Sequence, residues 1–224
     1  MRRELDVAGT LAAADIPASK LGPERRARLD DSERALYFWI LHRFATTGRP
    51  SRADLLAEAR RLGGDAGPTL ASLAREDLIH LGSDGEIAVA YPFSGRATAH
   101  RIRFPSGHEV DAMCAIDALG IAPMFDEPIE IASRDPVTDE RIEVRLAPSG
   151  DGSWEPESAV VVAGRRAGAQ DACTGCCQVL NFFASSDSAE HWLAGHSDVR
   201  GQVISIPTAI AAGRTVFADV FDGE

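Results

Sequence analysis

Two short segments of the sequence carry residue types that could do chemistry, and the first is Cys-Ala-Ile-Asp at residues 114–117. It stands where a predicted strand gives way to a predicted helix, and helical residues three apart share a face. The positive end of a helix dipole favours the thiolate, the form of cysteine that attacks and binds metals. The spacing therefore predicts that Cys114 binds a metal or substrate while Asp117 exchanges protons with it. The alternative is a buried structural cysteine beside an exposed aspartate.

The second segment, residues 173–177, contains the other three cysteines, Cys173, Cys176 and Cys177. It leads into an apolar run that predicts a strand at 179–184, and adjacent residues of a strand point to opposite faces. We therefore expect only one of Cys176 and Cys177 to face a given pocket. Cys173 and Cys176 also form a C-x-x-C pair, which occurs in redox centres and as half of a zinc site. Because the sequence has no second such pair, we do not expect a closed zinc site.

Composition and charge limit the kinds of partner. The chain has 224 residues, of which 45% are hydrophobic and 25% are charged, as in ordinary globular proteins. Its 23 Lys and Arg against 34 Asp and Glu give a formal net charge of −11, which disfavours nucleic acid as a partner. We find no run of the roughly 18 to 20 apolar residues that a membrane span needs, and no signal-peptide pattern. We therefore expect a cytoplasmic protein without membrane or nucleic-acid partners, whose reduced thiols are available for metal binding or catalysis.

The first part of the chain predicts a helical unit that precedes the cysteine segments. Residues 1–30 lack a sustained hydrophobic period, so we expect a poorly packed arm, with Arg25, Arg26 and Arg28 at a solvated helix end. Residues 31–92 predict three helices and a hairpin, the order of a winged-helix-like domain. Its third helix carries only Arg75 as a cation beside two acidic residues, which is too little positive charge to contact phosphates. We expect this unit to pack against its neighbour rather than to bind DNA.

Residues 93–224 predict the domain that contains both cysteine segments. Short β-type runs separated by Gly, Pro or Asp, with helix candidates between them, indicate an α+β domain with a mainly antiparallel sheet and flanking helices. The predicted strands are 98–104, 109–112, 129–133, 142–146, 159–162 and 179–184, and the predicted helices are 113–121, 188–193 and 207–212.

Taken together, the two cysteine segments resemble those of the alkylmercury (organomercurial) lyase family. The likeness rests on Cys-Ala-Ile-Asp at 114–117, on the Cys176-Cys177 pair, and on Phe-Phe-Ala-Ser at 182–185 with Trp192 shortly afterwards. The upstream Tyr-Pro-Phe-Ser-Gly at 91–95 extends it, and it covers roughly residues 30 to 215. One departure is Ser-Arg-Asp-Pro at 133–136, which lacks a cysteine that some members carry nearby.

The resemblance implies a cytoplasmic detoxification enzyme that splits R–Hg⁺ into RH and Hg²⁺ without a cofactor. It implies that Cys114 and Cys176 hold mercury, that Asp117 moves the proton, and that Cys177 is a neighbour not needed for catalysis. Cys173 is a thiol that we do not expect of the family. It is a further candidate mercury ligand, and the alternatives are that it forms a disulfide or replaces the second ligand. The implied partners are an organomercurial substrate, with small thiols or a mercuric reductase as the acceptor of Hg²⁺.

Two other functions remain open from the residues alone. A soft-metal-responsive regulator would use the winged-helix-like unit to bind DNA, but it would need a basic face that the acidic composition does not indicate. A non-catalytic thiol protein would sequester Hg²⁺ or Cu⁺, and it would release no hydrocarbon from an organomercurial.

Overall fold

The computed structural model describes residues 22–168 and 172–221, together with Val7, Gly9 and Ala12. Within these ranges the side chains of Cys173 and Thr174 are excepted. Most of the predicted arm before residue 22, and the prediction that Cys173 is a metal ligand, therefore lie outside the described residues.

Helices make up most of residues 22–75, and reciprocal side-chain bonds fix the beginnings of two of them. The Asp30 side chain accepts the backbone N–H of Glu33, and the Glu33 carboxylate accepts that of Asp30. Ser51 and Asp54 form the same kind of capping box, as their spacing predicts. The helices are α1 (Gly22–Arg26), α2 (Asp31–Thr47), α3 (Arg52–Arg61) and α4 (Ala66–Arg75).

Within the described residues the strands form two antiparallel sheets, which confirms the α+β prediction. The larger sheet has the order β1-β2-β3-β5-β4-β6-β7-β8, and the smaller has the order β10-β9-β11. The strands are β1 (Ile79–Leu81), β2 (Ile87–Ala90), β3 (Phe93–Ser94), β4 (Arg101–Arg103), β5 (Glu109–Ala112), β6 (Ile129–Arg134), β7 (Arg141–Leu146), β8 (Gly152–Glu155), β9 (Val160–Arg166), β10 (Phe182–Phe183) and β11 (Val199–Ser205).

The β1-β2 hairpin is continuous with the rest of the structure. Strand β2 pairs with β3, and β3 pairs with β5, so the hairpin forms one end of the larger sheet. Among the described residues, the larger of two hydrophobic clusters runs from Leu29 in the helical unit to Val220 near the C-terminus. The three helices and hairpin predicted at 31–92 are present, but they share this core with the residues that follow.

Two helices pack closely and set the position of the first cysteine segment. They are α5 (Ala115–Phe125) and α8 (Ile206–Phe217). Between them in the described chain lie α6 (Ala172–Gly175) and α7 (Ser186–Ala194). A Cβ at Gly213 would lie 2.8 Å from the backbone nitrogen of Gly120 and 2.9 Å from the carbonyl oxygen of Ile116. Glycine at 213 therefore permits the backbones of α5 and α8 to approach each other.

The prediction of a solvated helix end was wrong for Arg25 and Arg26. Their exposed fractions are only 5% and 8%, because α1 packs against the body of the protein. The Arg26 guanidinium donates to the carbonyl oxygen of Val216 at 2.9 Å and forms an ion pair with Asp219. Burial of a charged side chain is tolerated when such partners replace water. Arg28 is exposed, as predicted.

Candidate active site

Cys114 occupies the N-cap position of α5, directly after β5 and Met113. Its Sγ accepts the backbone N–H of Asp117 at 3.4 Å, which satisfies one of the free donors at the helix start. The next residue, Ala115, donates its N–H to the carbonyl oxygen of Leu180 at 2.8 Å. This bond joins the beginning of α5 to the chain that follows the second cysteine segment.

Asp117 lies in the first turn of α5 and is buried, with 6% of its surface exposed. The Cys114 thiol donates to its Oδ2 at 3.0 Å, and the Cys177 thiol donates to the same oxygen at 3.6 Å. The two sulfurs and a carboxylate oxygen all lie within 4.8 Å of one another. The alternative of an exposed Asp117 is therefore wrong, and the predicted spacing does place the thiol and carboxyl in contact.

Burial controls the protonation of this cluster. It raises the pKa of Asp117 to about 7, although the hydrogen bonds from Cys114 and Cys177 and the charge of Arg25 oppose the increase. Burial also raises the pKa of Cys114 to about 11. The pKa of Cys177 is well above its ordinary value because of its hydrogen bond with Cys114 and its burial.

The expected bias of Cys114 toward the thiolate is therefore not found, because burial outweighs the effect of the helix dipole on its pKa. Both thiols are protonated near neutral pH, while the carboxyl of Asp117 titrates there. A carboxylate in this state can take a proton from a thiol when a soft metal displaces it, and can later return that proton.

Cys176 and Cys177 both line the same cavity, so the prediction that only one of them faces a pocket was wrong. Residues 176–179 form a turn after α6, and only Phe182–Phe183 of the predicted strand is extended. The backbone N–H groups of Cys176 and Cys177 both point to the carbonyl oxygen of Ala172, at 2.9 Å each. The alternation of a strand does not apply to such a turn. Both thiols are buried, and the Cys177 sulfur contacts Asp117.

The cavity beside the cluster has a volume of about 80 Å³ and mainly apolar walls. A larger, more open groove of about 690 Å³ next to β8 is lined by no cysteine, so we assign the chemistry to the smaller cavity. Residues from α1, α2, α5 and α8 enclose it together with the second cysteine segment. The walls are formed by Gly22, Arg25, Arg26, Tyr37, Leu78, Tyr91, Cys114, Ile116, Asp117, Ala172, Cys176, Cys177, Leu180, Val216 and Phe217.

Comparison with known proteins identifies the family. The model of the alkylmercury lyase family matches residues 93–218, which is more than half of the chain and includes both cysteine segments. The chain belongs to the alkylmercury lyase family.

Sequence identity with three individual alkylmercury lyases supports this membership. Those of Bacillus cereus and Clostridium butyricum are each 32% identical over 108 residues, which cover 48% of this chain and 49% of theirs. The lyase of Staphylococcus epidermidis is 26% identical over 136 residues, covering 61% of each chain. The chain thus matches about half the length of the first two relatives.

A solved structure supports the fold over nearly the whole chain. The crystal structure described as the mercury-bound form of MerB2 superimposes with a TM-score of 0.74 and covers 90% of this chain and 97% of its own. The sequence identity is 20%, so this likeness concerns the fold alone.

The segment Ser-Arg-Asp-Pro at 133–136, which departs from the family pattern, contains a buried carboxylate. Asp135 lies in the segment that lacks the cysteine some members carry, and it is 1% exposed. Its Oδ2 accepts the N–H of Ala184 at 2.8 Å, and its Oδ1 accepts the hydroxyl of Ser188 at 2.9 Å. The carboxylate thus anchors the chain between β10 and α7.

The cavity walls include residues that the sequence did not indicate for an alkylmercury lyase site. Tyr37 on α2 donates its hydroxyl to the carbonyl oxygen of Tyr91 at 2.7 Å, and both side chains line the cavity. The Tyr-Pro-Phe-Ser-Gly segment was the signal that could have located Tyr91. Arg25 was missed because the N-terminal residues were expected to be poorly packed.

Proposed function

We propose that this chain is an organomercurial lyase, which cleaves a carbon–mercury bond by protonolysis. The observation that carries the proposal is the contact of Asp117 Oδ2 with the Cys114 thiol at 3.0 Å and with the Cys177 thiol at 3.6 Å in one buried cavity. A structural thiol does not need a buried carboxyl with a pKa of about 7 beside it. The family membership supports the same activity.

In the proposed reaction, R–Hg⁺ enters the cavity as the substrate. Mercury is a soft cation, so sulfur binds it in preference to oxygen or nitrogen, by extension of the rule for first-row metals. The Asp117 carboxylate takes the proton of one thiol as that sulfur binds mercury, and the proton of the second thiol leaves to solvent. Two thiolates increase the electron density on the mercury-bound carbon.

The second half of the reaction transfers a proton to carbon. Asp117 delivers its proton to that carbon, the electron pair of the C–Hg bond becomes the new C–H bond, and RH leaves. Hg²⁺ remains bound to the two thiolates, and the Asp117 carboxylate is restored. The chemistry requires no change of oxidation state at mercury and no organic cofactor.

Two assignments of the second mercury-binding thiol follow from different observations. The resemblance to the family assigns Cys114 and Cys176, with Cys177 as a neighbour that catalysis does not need. The geometry favours Cys177, whose sulfur is in the Cys114–Asp117 cluster, while Cys176 lines the same cavity. We retain Cys176 as the primary proposal, with Cys177 as the competing ligand and Cys173 as a further candidate.

The proposed context is the cytoplasm, with small thiols or a mercuric reductase removing Hg²⁺ from the site. Among the described residues, no helix combines the length and the apolar composition that a bilayer span requires.

The hypothesis of a DNA-binding regulator is less well supported. The formal net charge of the chain is −11, and the candidate recognition helix α4 has Arg75 as its only cation.

The test is to incubate the purified protein with methylmercury and an excess of a small thiol, and to measure methane by gas chromatography. The lyase proposal expects methane and mercury to appear in equal amounts over many turnovers. Stoichiometric mercury binding without methane would replace the lyase proposal with the non-catalytic thiol protein.

A further inference from the structure

Arg25 places a buried guanidinium in the wall of the candidate active site. Helix α1 carries it, and the residue lines the cavity together with Cys114, Asp117 and Cys177. Only 5% of its surface is exposed. A buried cation is costly unless its surroundings compensate it, so its presence beside two thiols and a carboxyl requires an explanation.

Asp77 holds the Arg25 side chain. The carbonyl oxygen of Asp77 accepts a hydrogen bond from Arg25 Nη1 at 2.7 Å, and its Oδ2 lies 2.9 Å from Nη2 as an ion pair. Asp77 has a left-handed backbone, with φ at 56°, which aspartate tolerates better than most residues. The same Oδ2 accepts the N–H of Ala172 at 3.1 Å, and Oδ1 lies 2.7 Å from His80 Nε2.

These bonds connect the guanidinium to the second cysteine segment. Ala172 is the first residue of α6, and its carbonyl oxygen accepts the N–H groups of both Cys176 and Cys177. Asp77 thus fixes the positive charge and the thiol-bearing turn relative to each other. Burial alone would raise the pKa of Asp77, but its bonds with His80, Arg25 and Ala172 together lower it, so it remains a carboxylate.

The ion pair with Asp77 does not use all of the hydrogen-bonding capacity of the Arg25 guanidinium. Among the described residues, Arg25 Nη2 is buried and makes no well-aligned hydrogen bond, although Asp77 is its ionic partner. The positive charge also acts on the cavity, because Arg25 lowers the pKa of Asp117 and of Tyr37 against the larger effect of their burial.

We propose that Arg25, held by Asp77, is a positioning residue that supplies the fixed positive charge for the anionic state of this site. The inference rests on the proposed lyase function. R–Hg⁺ bound to two thiolates has a net charge of −1, and the Asp117 carboxylate adds another negative charge before it takes up a proton. A guanidinium in the cavity wall stabilises both anionic forms, and it does so without contacting the reacting carbon.

The titratable and charged groups around Arg25 and Asp117 come from several elements. They are Arg26 on α1, Tyr37 on α2, Asp77 and His80 near β1, Cys114 at the start of α5, and Cys176 and Cys177 in the turn after α6. A test of the Arg25 charge therefore needs a control variant that removes a positive charge from the protein without changing this set.

The experiment compares Arg25→Gln and Arg25→Lys with Arg28→Gln as the matched control. Arg28 is a suitable control because it is exposed, does not line the cavity, and pairs with Glu76 at 3.0 Å. The readout is the affinity for methylmercury in the Asp117→Asn background, measured by competition with a small thiol, which does not depend on turnover. Arg25→Met, which keeps the apolar stem, serves if the Gln variant does not fold.

We expect the affinity for methylmercury to fall about tenfold in Arg25→Gln, to return most of the way in Arg25→Lys, and to stay unchanged in Arg28→Gln, because the bound bis-thiolate complex has a net charge of −1. With the native Asp117, methane formation should fall in Arg25→Gln, and Arg25→Lys should restore most of it because lysine keeps the positive charge. An unchanged affinity for methylmercury in folded Arg25→Gln or Arg25→Met would overturn the inference. A wild-type protein without methane formation would instead overturn the proposed function, and the affinity for methylmercury would still be measurable.

Discussion

The Cys114 thiol donates a hydrogen bond to Asp117 across a single helical turn, with 3.0 Å between Sγ and Oδ2. The backbone N–H of Asp117 donates to the same sulfur at 3.4 Å, so each of the two residues donates a hydrogen bond to the other. This reciprocal arrangement fixes the carboxyl beside the sulfur and away from water. The N-cap residue of a helix ordinarily satisfies a backbone N–H group. Here the N-cap residue is also a thiol, and its proton acceptor is the carboxylate of Asp117 in the first turn of the same helix.

The first prediction concerns the thiols. Cys114→Ser should reduce methane formation to near the background, because oxygen is a hard ligand and mercury is soft. Cys176→Ser and Cys177→Ser measured side by side identify the second ligand. If Cys176 is that ligand, its variant loses turnover while Cys177→Ser mainly loses stability. The reverse pattern would transfer the role to Cys177, and near-normal rates in all three variants would contradict a two-thiol site.

The second prediction concerns pH and stability. The Asp117 carboxyl has an ordinary pKa of 3.8 when unfolded and about 7 when folded. Between these values the folded state retains a proton that the unfolded state has lost, so the free energy of unfolding falls as pH rises through this window. The loss from this group is at most about 4 kcal/mol, at about 1.4 kcal/mol per pKa unit.

Asp117→Asn should remove that dependence, because asparagine does not titrate. Urea unfolding at several pH values from about 4 to about 8 measures it. We expect the variant to gain stability relative to the wild type as pH rises. A constant difference between the two proteins across this range would show that the carboxyl is not protonated in the fold.

The third prediction concerns the contact of α5 with α8. Gly213→Ala should destabilise the protein by about 1 to 3 kcal/mol, because the new Cβ would lie 2.8 Å from the backbone nitrogen of Gly120. Gly67→Ala in α4 is the matched control, since its Cβ would meet nothing closer than 3.6 Å. Alanine is the better helix former, so the control should be neutral or slightly stabilising. Equal effects of the two substitutions on thermal unfolding would contradict the close approach.

The features that the sequence predicted well are those set by neighbouring residues. The i, i+3 spacing of Cys114 and Asp117 lies within one helical turn, and the strand β5 at Glu109–Ala112 has the predicted bounds. The capping box of Ser51 and Asp54 is local in the same way. In each case the interaction that forms the structure is contained in the residues that predict it.

The features that were missed depend on distant contacts. The sequence predicted a solvated position for Arg25, but its partner Asp77 is 52 positions away in the chain. The prediction that only one of Cys176 and Cys177 faces the pocket was wrong. At these residues a turn, closed by hydrogen bonds to the carbonyl oxygen of Ala172, replaces the predicted strand. Residue type alone does not distinguish such a turn from an apolar strand, since both place hydrophobic residues after the cysteines.

The central claim is that Asp117 carries the proton to carbon while cysteine sulfurs hold the mercury. The most direct measurement uses wild-type and Asp117→Asn protein loaded with methylmercury, and records bound mercury and released methane in the same sample. Circular dichroism on each preparation verifies that both proteins are folded. We expect equal mercury stoichiometry in the two proteins and methane release slower by about 10² to 10⁴-fold in the variant, the usual contribution of a general acid–base group. Methane release at the wild-type rate from folded Asp117→Asn would contradict the claim, since the proton would then come from another group or from water.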